Sequence, residues 1–138
     1  MTGVQTCALP ICAGQLTLAD LIDIGRVQAA REDAMHAEAE RALFCDTSPL
    51  TTLGYAHWMF GAAPPELVAL AGRAYDLTVL CAPDFDFVQD GTRREPAFRL
   101  QQHAWYEARL AASGGRWMRA TGPLEHRIAE VARALAQL

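Results

Sequence analysis

The segment ALFCDTSPL, residues 42–50, holds the first residues whose types and order suggest chemistry. Four uninterrupted apolar residues run into the carboxylate of Asp46, and Thr47, Ser48 and Pro49 follow. A carboxylate at the end of a buried strand stands where it can hold Mg²⁺, usually through water, or orient an attacking hydroxyl. The competing role, capping the next helix, falls to Ser48, which has proline after it at the first helical position. A second set is DGTRR, residues 90–94, with Arg99 five residues on. Phosphoryl transfer needs cations near the transferring oxygens, and arginines on a mobile lid reach them only on closure. On their own, Arg93, Arg94 and Arg99 read as a solvated basic face. His36, His57, His103 and His126 are scattered without an acidic partner at fixed spacing, so neither catalysis nor ligation is expected of them. The cysteines at 7, 12, 45 and 81 lack the close pairing of a zinc site.

These groups need elements to position them. Thr17 and Asp20 form a capping-box variant that predicts a helix to about Arg41. Its apolar stripe is Leu18, Leu21, Ile22, Val27 and Met35, with Glu32, Glu38 and Glu40 in the polar half. Ala42–Cys45 reads as a short apolar strand. Ser48-Pro49 starts a second helix that Gly61 stops, and Pro64-Pro65 opens a third that ends near Tyr75. Leu77–Ala82 is a second apolar strand, followed by a loop over 83–94 with an Asp90-Gly91 turn. A helix over about 95–112 ends at Gly114-Gly115, Trp117–Ala120 is a third strand, and Gly122-Pro123 opens a last helix. Leu124, Ile128, Val131 and Leu135 form that helix's stripe. Cys45 and Cys81, inside strands, read as buried thiols, and Trp58, Trp105 and Trp117 as packing anchors. Strands apolar on both faces, alternating with helices, predict an α/β fold with a covered parallel sheet. Ligands of such sheets bind beyond the strands' carboxyl ends. Here those ends are Asp46-Thr47, Ala82-Pro83-Asp84 and Thr121-Gly122-Pro123, and the first has the shape of a Walker B element.

The chain of 138 residues has a net charge of −4, which offers no basic field to nucleic acid or to an anionic membrane surface. No apolar run is long enough to span a bilayer, and a reducing cytoplasm is the expected setting. MTGVQTCALPI, residues 1–11, resembles the translated frame of a sequencing-library adapter. Residues 1–12 are therefore set aside as a non-native leader, with the natural gene expected to begin further upstream, and 13–138 are read as the domain.

From about Leu16 onward the chain resembles the NadR-type ribosylnicotinamide kinase domain and the related NadR-like AAA ATPases. The pieces come in that family's order: Asp23-Ile24 through Gln28, then FCDT, then Tyr55 to Gly61, then Tyr75-Asp76-Leu77. PDxxxVxDGxR follows at Pro83 to Arg93, with Arg99, Thr121-Gly122-Pro123-Leu124 and Arg127 after it. Phe87 stands where the family pattern usually has tryptophan. The resemblance implies a three-layer parallel sheet of the P-loop kinase type, incomplete here because the first strand, phosphate loop and second strand are missing. No GxxxxGK[ST] occurs, since Gly14, Gly25 and Gly54 have no Lys-Ser/Thr following.

The implied activity is ATP-dependent phosphorylation of a nucleoside 5′-hydroxyl, with Mg²⁺, in pyridine nucleotide salvage. Asp46 is the implied catalytic carboxylate, holding Mg²⁺ through water, with Thr47 beside it in the nucleotide site. Arg93 and Arg99 are implied phosphate contacts, and Arg94 lies with the nucleotide. Gly122, Pro123 and Leu124 border the adenine. Asp90 fixes its loop or meets the nucleoside, and Phe87 makes an apolar contact there. The implied partners are ATP and a small nucleoside, with no nucleic acid and no membrane, the oligomeric state being left open. A second reading is a NadR-like ATPase whose hydrolysis serves regulation or partner binding. A third is that the chain as written is inactive.

Overall fold

A computed structural model of the chain describes residues 16–86 and 96–138. The chain divides into two units between Arg73 and Ala74. The first contains α1 (Leu18–Glu38), α2 (Pro49–Phe60) and α3 (Pro65–Ala71). The capping box forms as expected: Thr17 Oγ1 accepts the Asp20 amide at 3.2 Å, and Asp20 Oδ2 accepts the Thr17 amide at 2.7 Å. Hydrogen bonding from Thr17 also draws the Asp20 carboxyl below its ordinary value. Ser48 Oγ accepts the Leu50 amide at 3.3 Å, with Pro49 at the first helical position. Gly61, at φ 61°, closes α2 in the left-handed conformation that glycine adopts without steric cost.

Leu21, Leu53, Ala56 and Leu67 form the centre of this unit, each at most 2% exposed. The buried seam of α1 runs Leu21, Gly25, Ala29, Glu32. This differs from the expected stripe: Val27 is half exposed, and Glu32 is buried rather than on the polar face. The reason is close helix approach. A Cβ at Gly25 would lie 2.8 Å from Leu67 Cδ2, so the small residues of α1, not its largest apolar ones, face α3. Glu32 is accommodated by Arg73, whose Nε lies 3.5 Å from Glu32 Oε2 while its other end pairs with Asp33. Arg26 joins Asp23 to Glu66 of α3 on the outside of the same packing.

The second unit contains β1 (Thr78–Cys81), α4 (Pro96–Ser113), β2 (Trp117–Ala120) and α5 (Leu124–Leu135). The two strands pair in parallel, with Thr78 opposite Trp117 and Cys81 opposite Ala120. The result is an α/β arrangement with a two-stranded sheet among the described residues. The expected strand at Ala42–Cys45 does not form: the segment has no ladder partner, Phe44 is 62% exposed, and the backbone there is irregular. A continuous apolar run makes a strand only where a neighbour accepts its backbone groups. Cys45 and Cys81 are exposed, not buried. The stripe of α5 is covered only in part: Leu124 is 68% and Ile128 59% exposed, while Val131 and Leu135 are half-buried. No helix among the described residues is long and apolar enough to cross a membrane.

Candidate functional site

In the first unit, Asp46 and Thr47 form the turn just before the Ser48 cap. Thr47 has φ 71°, the one positive-φ residue other than glycine among those described. A β-branched residue is costly in that conformation, and such strain collects where a turn must aim particular groups. Gln28 of α1 reaches Thr47 Oγ1 at 3.5 Å, tying the turn to the helix before it. Beside the turn is a cleft of about 60 Å³ lined by Gln28, Arg31, Phe44, Cys45 and Asp46, among others. That volume suits one or two water molecules rather than a nucleoside. Although its surface is exposed, partial desolvation by the surrounding atoms pushes the Cys45 thiol up, Glu32 adds to the rise, and Arg73 opposes it, so this is not an activated nucleophile. No cluster of three or more His, Cys, Asp or Glu able to hold a metal occurs among the described residues. Asp46 therefore fits Mg²⁺ only in the manner of a single hard oxygen donor acting through water.

In the second unit the polar groups gather beyond the carboxyl ends of β1 and β2. Asp84 Oδ2 accepts the Gly122 amide at 2.7 Å, and its Oδ1 pairs with Arg127. Arg127, whose side chain is 13% exposed, also donates from Nη2 to Ala82 O at 3.1 Å and from Nε to Gly122 O at 2.7 Å. One guanidinium thus joins the ends of both strands, a use for which its rigid fork of donors is suited. The Gly122 amide, and then the Arg127 charge, hold the Asp84 carboxyl below its ordinary 3.8. Phe85 lies under two cations, with Arg99 5.0 Å and Arg127 5.6 Å from its ring centroid. Arg99 donates to Phe85 O at 2.9 Å and to Pro83 O at 3.3 Å. The helix residue expected at the phosphates thus sits against the backbone that leaves β1. His103 titrates lower than an ordinary histidine because of burial and of Arg119, with Asp84 opposing.

Gly122, Pro123 and Leu124 lie together at the start of α5: Gly122 at φ 73°, Pro123 as the residue before the helix, and Leu124 largely exposed. Phe87, Asp90, Arg93 and Arg94 fall outside the described residues, as do residues 1–12. Sequence reasoning named Asp84 as a strand end and Arg127 as a matching position but assigned neither to a site. The available signal was an acid two residues past one strand and an arginine four residues after Pro123, each at a carboxyl end.

A family model described as AAA domain matches residues 10–127, most of the chain. No curated protein and no solved structure matches it.

Proposed function

The chain belongs to the AAA domain family, a P-loop NTPase-type domain with a nucleotide-binding function, and on that premise we propose that it serves ATP-dependent phosphoryl transfer. In this reading the acceptor is a nucleoside 5′-hydroxyl, as in ribosylnicotinamide kinases, and the parent sheet is the three-layer parallel type. The observation that supports it is the Asp46-Thr47 turn, where a carboxylate directly follows an apolar run and Thr47 is held at φ 71°, although that run forms no strand among the described residues.

Asp46 would hold Mg²⁺ through water, and the metal would supply charge neutralisation at the phosphate oxygens. Thr47 shares that edge. The resemblance assigns Arg93, Arg94 and Arg99 to the nucleotide phosphates, Asp90 and Phe87 to the nucleoside, and Gly122, Pro123 and Leu124 to the base; of these, Arg99 here donates to Phe85 O and Pro83 O instead. The chain contains no GxxxxGK[ST] loop, hence none of the backbone N–H donors and lysine that cradle a triphosphate. The 138-residue chain is therefore expected to grip the phosphates weakly.

The test uses the protein as it is expressed from its own gene. With ATP and Mg²⁺, nicotinamide riboside should accelerate ADP release and appear as its 5′-phosphate, and Asp46→Asn should keep the fold while losing most turnover. ADP release indifferent to every nucleoside offered would replace the kinase reading with an ATPase of regulatory or partner-binding role. The AAA domain match favours that second reading over any other alternative.

A further inference from the structure

The turn between β2 and α5 is held in an unusual way. All four backbone polar groups of Thr121 and Gly122 are engaged by side chains. The Thr121 amide donates to Glu130 Oε2 at 3.4 Å, and Thr121 O lies 3.0 Å from His126 Nδ1. The Gly122 amide donates to Asp84 Oδ2 at 2.7 Å, and Gly122 O accepts from Arg127 Nε at 2.7 Å. Glu130, His126 and Arg127 come from α5, and Asp84 comes from the end of β1. Gly122 is at φ 73°, so the turn also needs a residue free of the left-handed penalty. Backbone groups at the carboxyl end of a small sheet are ordinarily left to water. Here four side chains, two of them in a charged pair, set a two-residue stretch in one conformation.

We propose that Asp84 and Arg127 are positioning residues that fix the Thr121-Gly122 turn at the base edge of the nucleotide site. This rests on the function proposed above. The turn so fixed presents Leu124, largely exposed at the start of α5, as the apolar contact for the base. Arg127 acts through three acceptors at once, Asp84, Ala82 O and Gly122 O, which no single ammonium can span.

The experiment records amide spectra of the complete 138-residue chain, with adenosine as the probe up to millimolar concentration. The variants are Asp84→Asn, Arg127→Gln and Arg127→Lys, with Arg133→Gln of α5 as the control. In the unaltered chain the Gly122 amide should follow one titration with a midpoint below 3.8, and Asp84→Asn should abolish it. Asp84→Asn, Arg127→Gln and Arg127→Lys should each weaken adenosine binding at least fivefold, and Arg133→Gln should leave it unchanged. If Asp84→Asn and Arg127→Gln do not fold, Arg127→Lys, which keeps the charge, decides the matter alone.

Folded variants that shift the Gly122 amide yet bind adenosine as before would make the cluster merely structural and overturn the proposal. An unaltered chain whose amides ignore adenosine would end the nucleotide reading and the positioning role with it. The Gly122 titration distinguishes that failure from an absent cluster.

Discussion

Among the described residues, Leu21, Leu53, Ala56 and Leu67 of the first unit are each at most 2% exposed, whereas in the second unit Ala120 alone reaches that level. The first unit is held by helices packed through small residues, the second by a two-stranded ladder and a charged network at its end. Both also leave apolar residues outside. Phe44 of the first unit, Leu100 of α4, and Leu124 and Ile128, four residues apart on the stripe of α5, are all more than half exposed. An amphipathic pattern records the capacity to bury a face, not whether a face is buried. The two units therefore answer differently to the same kind of change.

The largest expected effect is in the first unit. Leu67→Ala removes a fully buried side chain beneath Gly25 and should cost about 2–5 kcal/mol in chemical denaturation. A loss below that of an ordinary surface change would mean that α3 is not packed as described.

In the second unit the corresponding break is polar. Asp84→Asn should lower the melting temperature at pH 7 by less than Leu67→Ala does, and its effect should vanish in acid. The sign follows from linkage. The carboxyl of Asp84 titrates below 3.8 when folded, so its contribution is complete above the unfolded value and is lost as pH falls through the lower folded one. A difference between the two proteins that persists unchanged at pH 2 would contradict the Gly122 and Arg127 contacts as its source.

Thr47→Gly runs the other way. Relief of a left-handed β-branched residue should stabilise the first unit by about 1 kcal/mol, read as a raised denaturation midpoint. The smallest change is expected at Ile128, 59% exposed, where Ile128→Ser should alter stability by less than about 0.5 kcal/mol. A cost near that of Leu67→Ala would show that the face of α5 is covered in solution.

Sequence made the local devices readable. The Thr17–Asp20 box, the Ser48-Pro49 start, the Gly61 stop and the Trp117–Ala120 strand all stand where caps, turn residues and apolar runs placed them. The caps and stops depend on neighbours within a few residues, and the strand had its parallel partner in Thr78–Cys81. What failed depended on partners far along the chain. Ala42–Cys45 has a strand's composition but no ladder to join, and Glu32 is buried because Arg73, forty-one residues later, reaches it. The site divides in the same way. Asp46-Thr47 was readable from its own segment, while Asp84 and Arg127 became a pair only when two parallel strands brought their carboxyl ends together.

The central proposal is that the chain serves a nucleotide site while its sequence has no phosphate cradle of the GxxxxGK[ST] kind. It is tested most directly by titrating the 138-residue chain, in Mg²⁺, with adenosine, ATP and inorganic triphosphate in parallel. Adenosine and ATP should bind with similar, millimolar-range affinity, and triphosphate alone should not bind, because no segment here offers it a nest of backbone amides and a lysine. ATP binding at micromolar concentration, far tighter than adenosine, would contradict the account.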